Sequence, residues 1–351
     1  MSDSRTRRTN SSRSAHAKPV AGVLPTIADG LSMVLARPRL MLLPLIVDLL
    51  LWLVVQTSID PLVDRLARFF ATSGAADGAE AARTLRELGD HVRVSDALGV
   101  FVPSVFCGLP LDTLLNGLVL LLAPGLAAGV DRETMYGSWG DGVFGVWTPD
   151  SAVVVAGLGL LFLAAGSLIL VAFRVPLART VRGDTSPFRQ AVRETALAWV
   201  RFLGYVVLLI AAAGALLVPI FFASLVFLIL GFNLVFVVTM ALFIFGGMAS
   251  VYTLFVLDAI LLHRIGPLQA VSMSMTVART YFGQTARFAA TSLLLATGAL
   301  QVWSVIVENV PGIAIALVAN AFLGTGLSLA SMLFYSDRFR LMKATQRHAP
   351  A

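Results

Sequence analysis

Between positions 203 and 262 the chain passes sixty residues with one side chain charged at neutral pH, Asp258. A stretch so poor in charge has no place in a water-soluble domain, where about a quarter of residues are charged. The whole chain follows suit, with 13% charged and 58% hydrophobic residues. Its solvent is therefore expected to be a bilayer. A helix needs roughly 20 mainly apolar residues to cross the hydrocarbon core. Six segments meet or approach that length, at 40–56, 151–173, 203–225, 235–262, 288–307 and 312–334. The single cysteine, Cys107, excludes an intramolecular disulfide and a cysteine-based metal cluster.

Charge sets the expected orientation, because Lys and Arg in short loops stay on the cytoplasmic side. Seven basic residues precede the first segment (Arg5, Arg7, Arg8, Arg13, Lys18, Arg37, Arg39) and six lie in 174–201. Three more fall in 263–287 and four after 336, so 20 of the 26 basic residues collect on one side. The other side, 57–150 plus the turn at Glu308, holds six basic and 13 acidic residues. Both termini are thus expected in the cytoplasm of a bacterial cell, with the protein in its inner membrane. The net charge of +6 reads as topology and as attraction to anionic lipid. Nucleic acid is not expected as a partner, because no basic stripe with interleaved aromatics accompanies the charge.

Residues 98–128 are apolar, but Pro103, Pro110 and Pro124 divide them, and Asp112 and Asn116 sit among them. A crossing there would bring the acidic 131–150 loop inside and put the Arg-rich 174–201 loop outside. The stretch is expected instead to pack at the outer membrane surface, or to dip in and return. Upstream, 61–71 and 79–90 have amphipathic helical spacing, so 57–150 reads as a small helical extracytoplasmic cap.

The cytoplasmic segments resemble one another. Setting 25–37 against 267–279 pairs Pro25 with Pro267, Ala28 with Ala270, Ser32 with Ser274, Met33 with Met275, Ala36 with Ala278 and Arg37 with Arg279. A looser third copy begins at Pro187, with Ala191 and Thr195 at the positions of Ala270 and Ser274. There, Phe188, Ala191, Val192, Thr195, Trp199 and Phe202 share a helical face, and Arg189, Arg193 and Glu194 lie off it. Leu268, Val271, Met275, Ala278 and Phe282 repeat the pattern. Proline suits the first helical turn, where its missing N–H leaves nothing unsatisfied. The spacing predicts three amphipathic helices in the cytoplasmic interface, each feeding a transmembrane hairpin. The expected fold is an all-α integral membrane protein with six transmembrane helices in three pseudo-repeats. They are 22–174 (with the insertion 57–150), 183–264 and 265–336, flanked by a basic tail at 1–20 expected to be disordered and a cytoplasmic tail at 337–351.

Residues 261–283 run Leu-Leu-His-Arg-Ile-Gly-Pro-Leu-Gln-Ala-Val-Ser-Met-Ser-Met-Thr-Val-Ala-Arg-Thr-Tyr-Phe-Gly, ending one crossing and starting the next unit. This stretch resembles uncharacterised bacterial multi-pass membrane proteins related to the membrane domain of some glycerophosphodiester phosphodiesterases. Residues 36–52 (Ala-Arg-Pro-Arg-Leu-Met-Leu-Leu-Pro-Leu-Ile-Val-Asp-Leu-Leu-Leu-Trp) are similar to proteins of the same type. Together they cover about a tenth of the chain. Neither holds a reactive group whose role carries over, and the phosphodiesterase catalytic domain is absent, so the resemblance implies a fold and no activity.

Four polar residues inside the apolar segments are the candidate functional groups. Asp48 lies mid-segment, where an ionised carboxylate costs roughly 2.5–3.5 kcal/mol on insertion scales unless neutral or paired. It suits a proton- or cation-coupled transporter, or a protonated acid bonded to a neighbouring helix. Asp258 stands four residues from the end of its segment, within reach of Arg264, Arg279 or Arg174, with His263 near in sequence. A structural tie and a relay or substrate role are both open to it. Gln301 and Asn320 are amides in the last hairpin, with helix packing as their default use. Small residues one turn apart, Gly246 with Ser250 and Gly324 with Ser328, allow close helix approach. Pro219 and the 231–233 stretch mark either a hairpin turn or a discontinuous helix of the kind that builds transporter sites.

Phosphate loops, a metal-spaced set among His16, His91, His263 and His348, and a Gly-x-Ser-x-Gly elbow are all absent. A cleavable signal is not evident either, since the first apolar run starts near residue 40. The chain is therefore expected to be a non-enzymatic membrane module without cofactor or metal, whose partners are membrane lipid or another membrane protein. The rival expectation is a secondary transporter or permease component, with Asp48, Asp258 and Asn320 lining a polar path. An intramembrane lipid enzyme lacks any defensible pair of nucleophile and base.

Overall fold

The computed structural model describes residues 21–53, 56–57, 60–72, 79–80, 82–83, 85–86, 103–104, 146–147, 149, 151–185, 187–229, 235–307 and 310–348. Helix dominates them. In chain order the helices are α1 (Val23–Ala36), α2 (Leu42–Leu53), α3 (Asp60–Thr72), α4 (Ala152–Arg182), α5 (Phe188–Ile229), α6 (Val235–Thr253), α7 (Val256–His263), α8 (Pro267–Thr280), α9 (Phe282–Ile306) and α10 (Val310–His348). One short parallel bridge pairs Gln56–Thr57 with Val146–Trp147 and closes the insertion at its base. The helix expected at 61–71 is present as α3. The 1–20 tail, half of 79–90, 98–128 apart from Pro103 and Ser104, and the 231–233 stretch lie outside the described residues.

Among the described residues, five helical stretches are long and apolar enough to cross a membrane: Ala152–Arg182, Phe188–Ile220, Gly246–His263, Phe282–Ile306 and Pro311–Thr345. They coincide with five of the six expected segments. The remaining one, 40–56, is shorter: a 3₁₀ turn at Pro38–Met41 leads into the 12 residues of α2. At 1.5 Å per residue α2 alone spans about 18 Å.

Burial separates centre from periphery. The apolar windows of α4, α5 and α9 are only 17%, 6% and 11% buried, whereas those of Gly246–His263 and α10 are 56% buried. α7 and α10 are thus the axis, and the others wrap them. Leu160, Val207, Ile210, Leu294, Val305 and Ile315 point outward. The main core lies toward the basic end of the bundle, where Phe255, Phe288 and Phe334 stack at centroid distances of 4.8–6.4 Å. A smaller cluster joins Val47 and Leu51 of α2 to Val307, Ile313, Ala316 and Leu317.

α1 departs from the expected helix lying across the ends of the spans. It packs lengthwise on the C-terminal half of α10 in the opposite direction. The Ala21 carbonyl accepts from Arg338 Nη2 at 2.9 Å, and Gly30 meets Gly326 and Ala330. A Cβ on Gly30 would stand 2.5 Å from the Gly326 carbonyl oxygen, so only glycine permits this approach. The close seam therefore runs through Gly30 and Gly326, while Gly246, expected to serve this purpose, faces open space.

The amphipathic helices bury their small residues and turn large apolar ones outward. In α8 the buried side chains are Ala270, Ser274, Val277 and Ala278, while Leu268 (68% exposed) and Met275, with Phe282 at the start of α9, look out. In α1 they are Thr26, Ile27, Gly30 and Val34, with Leu24 (68% exposed) looking out. Burial matches between the two helices when Thr26 is set against Ala270, Gly30 against Ser274 and Val34 against Ala278. That register is two residues away from the one with six identities, in which exposed Ala28 and Ser32 fall opposite buried Ala270 and Ser274. The third copy also differs from expectation. Its amphipathic part runs into the crossing as one 42-residue helix, about 63 Å long. No proline or glycine interrupts it before Gly204, and Pro219 leaves it unbroken. Phe188 and Val192 point outward, whereas Glu194, expected off the face they share, is half-buried.

Candidate intramembrane polar site

α6 and α7 are one apolar run broken at Leu254–Phe255. A break inside such a run frees backbone groups that hydrocarbon does not satisfy. Ser274 of α8 supplies both partners: its Oγ accepts from Phe255 N–H at 3.2 Å and donates to the Tyr252 carbonyl at 2.8 Å. The break redirects α7 so that Asp258, in its first turn, faces α4 and α10.

Asp258 is 1% exposed and both its oxygens are engaged. Arg174 Nη1 donates to Oδ1 at 3.1 Å and Ser331 Oγ donates to Oδ2 at 2.5 Å. Three helices distant in sequence, α4, α7 and α10, are tied at one point. Of the three arginines the spacing offered to Asp258, the structure selects Arg174. Arg264 ends α7 instead, in left-handed backbone geometry (φ 55°, ψ 36°), and hydrogen-bonds Glu194 through Nε at 3.1 Å and Nη2 at 3.2 Å. The Glu194 hydrogen bond holds the Arg264 guanidinium above its ordinary range, against the opposing effect of burial. Arg182 joins the same cluster, donating to Glu194, to the Leu261 carbonyl, and to Asp184 at 2.8 Å. Gly183, at φ 74°, closes α4: its N–H and that of Asp184 return to the carbonyls of Thr180 and Arg179.

Asp48 and Asn320 belong to a different place. Asp48 is 0% exposed on α2, whose Val47 and Leu51 pack with Leu317 of α10. Asn320 is buried one turn along from Ala316, and its amide nitrogen has no acceptor among the described residues. Ser331 lies 11 residues beyond Asn320, or about 16 Å along the helix axis. The structure thus sets Asp258 apart from the other two. Gln301, expected to pack inside the last hairpin, is exposed on the outer side of α9 and joins none of them. Pro103 packs directly on Gly324, well down α10 from its start.

Sequence reasoning missed Ser331, Ser274 and the Arg182–Glu194–Arg264 cluster. The signal available for Ser274 was its place among small residues at helical spacing. Trp199, expected on the apolar face of its helix, donates through Nε1 to Ser167 Oγ of α4 at 2.9 Å. No set of three His, Cys, Asp or Glu suited to a metal ion occurs among the described residues.

Three cavities lined by described residues bear on these sites. One of about 260 Å³ is lined by Arg193, Glu194, Arg201 and Arg264. A second of about 610 Å³ is lined by Arg37, Arg39, Arg179 and Asp184. The third, about 640 Å³, is apolar and lies between α1 and α10. None of the three is lined by Asp48, Asp258 or Asn320. No family model, curated protein or solved structure matches the chain.

Proposed function

We propose that the chain is a multi-pass protein of the bacterial inner membrane, with both termini cytoplasmic, acting as a non-enzymatic module that associates with lipid or with a membrane partner. In this reading 40–56 makes a sixth crossing and the Arg-rich end of the bundle faces the cytoplasm. The resemblance of 36–52 and 261–283 to uncharacterised multi-pass proteins related to a phosphodiesterase membrane domain agrees with it. One observation carries the reading. The acid at the centre of the bundle, Asp258, has both oxygens occupied by Arg174 and Ser331, which makes it a structural tie rather than a group waiting for a solute. Vesicles reconstituted with the purified protein alone are expected to move no solute. Solute flux that Asp48→Asn abolishes contradicts the reading.

A secondary transporter is the second reading, favoured by the buried Asp48 together with the open amide of Asn320 on the α2–α10 seam. It now involves those two residues and leaves Asp258 out. The same flux experiment separates the two readings.

A further inference from the structure

The turn Arg37–Met41 divides a basic cavity from an apolar one. Arg37 and Arg39 line the 610 Å³ cavity with Arg179, Thr180 and Thr185 of the α4 terminus. Pro38 and Met41, interleaved with them, line the 640 Å³ cavity with Val34, Ile315, Val318 and Phe322. Among the described residues, the basic cavity has one acidic side chain in its wall, Asp184, already engaged by Arg182 at 2.8 Å and Arg264 at 3.3 Å. Arg37 and Arg39 form no ion pair with any described residue. Two arginines one residue apart therefore line a cavity whose wall carries an excess of positive charge.

We infer that this turn holds an anionic phospholipid, with its phosphodiester at Arg37 and Arg39 and an acyl chain in the apolar groove against α10. Arginine matches phosphate oxygens bidentately, and basic pockets between helices at the cytoplasmic side are where anionic head groups settle. Free phosphate shares the head-group chemistry, but the apolar groove on the other side of the same turn has use only for a lipid tail. The inference rests on the lipid-associated reading above and names its site.

The test uses the full chain in a neutral detergent, with thermal unfolding measured against added phosphatidylglycerol, phosphatidylcholine of the same chains, and inorganic phosphate. Phosphatidylglycerol is expected to raise the melting temperature at concentrations on the order of tenfold lower than phosphatidylcholine, with inorganic phosphate inert. The double substitution Arg37→Gln with Arg39→Gln is expected to remove that preference, whereas Arg193→Gln, in the smaller cavity, leaves it. Val318→Trp, which fills the groove without touching a charge, is expected to weaken both lipids. Equal responses to the two lipids, protection by inorganic phosphate equal to that by lipid, or a preference that survives in the double variant would overturn the site. Flux by reconstituted vesicles is scored separately. A flux-inactive protein without lipid preference removes this site alone, while Asp48-dependent flux removes the parent reading.

Discussion

Arg174 and Asp258, 84 residues apart in sequence, meet at 3.1 Å in the interior of the bundle, and Ser331 closes the second carboxylate oxygen at 2.5 Å. Removing one member of a buried ion pair strands the other charge, which costs about 3–5 kcal/mol. Asp258→Ala and Arg174→Ala are each expected to lower stability by that order. Replacing both residues with leucine is expected to recover most of the loss. Denaturation of the four proteins in detergent gives the coupling, and additive single losses would contradict the tie.

Gly30 is expected to be intolerant of any side chain, because a methyl group there would meet the Gly326 carbonyl and the Ala330 backbone nitrogen, which have nowhere to go. Gly30→Ala should lose about 1–3 kcal/mol through overpacking. Gly298→Ala, on α9 with open space around it, should gain up to about 1 kcal/mol from helix propensity. Melting temperatures that move in the same direction for both would refute the seam.

Ser274→Ala leaves Phe255 N–H and the Tyr252 carbonyl without their partner. The expected loss is about 1–3 kcal/mol. Hydrogen exchange gives the more specific readout, with faster exchange at Phe255 and unchanged exchange in mid-α4.

Arg264 adopts a left-handed conformation that disfavours side chains by roughly 1–2 kcal/mol. Glu194 offsets this through two hydrogen bonds. Arg264→Gly is thus expected to be close to neutral in the native background and stabilising by about 1 kcal/mol when Glu194→Gln is already present. Equal effects in both backgrounds would show that Glu194 does not hold the turn.

The parts of the fold readable in the sequence are those set by local composition. Apolar length located the five helices long and apolar enough to cross a membrane, because a backbone placed in hydrocarbon satisfies itself as helix. The break at Leu254–Phe255 was hidden: no glycine or proline marks it, and the residue that stabilises it, Ser274, belongs to another helix. The direction of each apolar face depends on its neighbours: Leu268, Met275 and Phe188, on the faces the spacing predicts, look out, while the small residues are buried and let helices approach. Six identities pair 25–37 with 267–279 in one register, whereas burial also matches in another, with Gly30 set against Ser274. For the site, Asp258 and Arg174 were visible as an intramembrane acid and a basic residue within reach; the separation of Asp48 and Asn320 from them depends on packing between α2 and α10, which spacing along one chain does not encode.

Orientation is the claim on which the functional reading turns, and cysteine accessibility tests it most directly. With Cys107 replaced by serine, single cysteines are placed at Ser73 and at Gln190, and cells with a permeabilised outer membrane are exposed to a membrane-impermeant maleimide. Labelling at position 73 in intact cells, with labelling at 190 only after the inner membrane is opened, is the expected result. Labelling at 190 from the periplasm of intact cells would contradict the account.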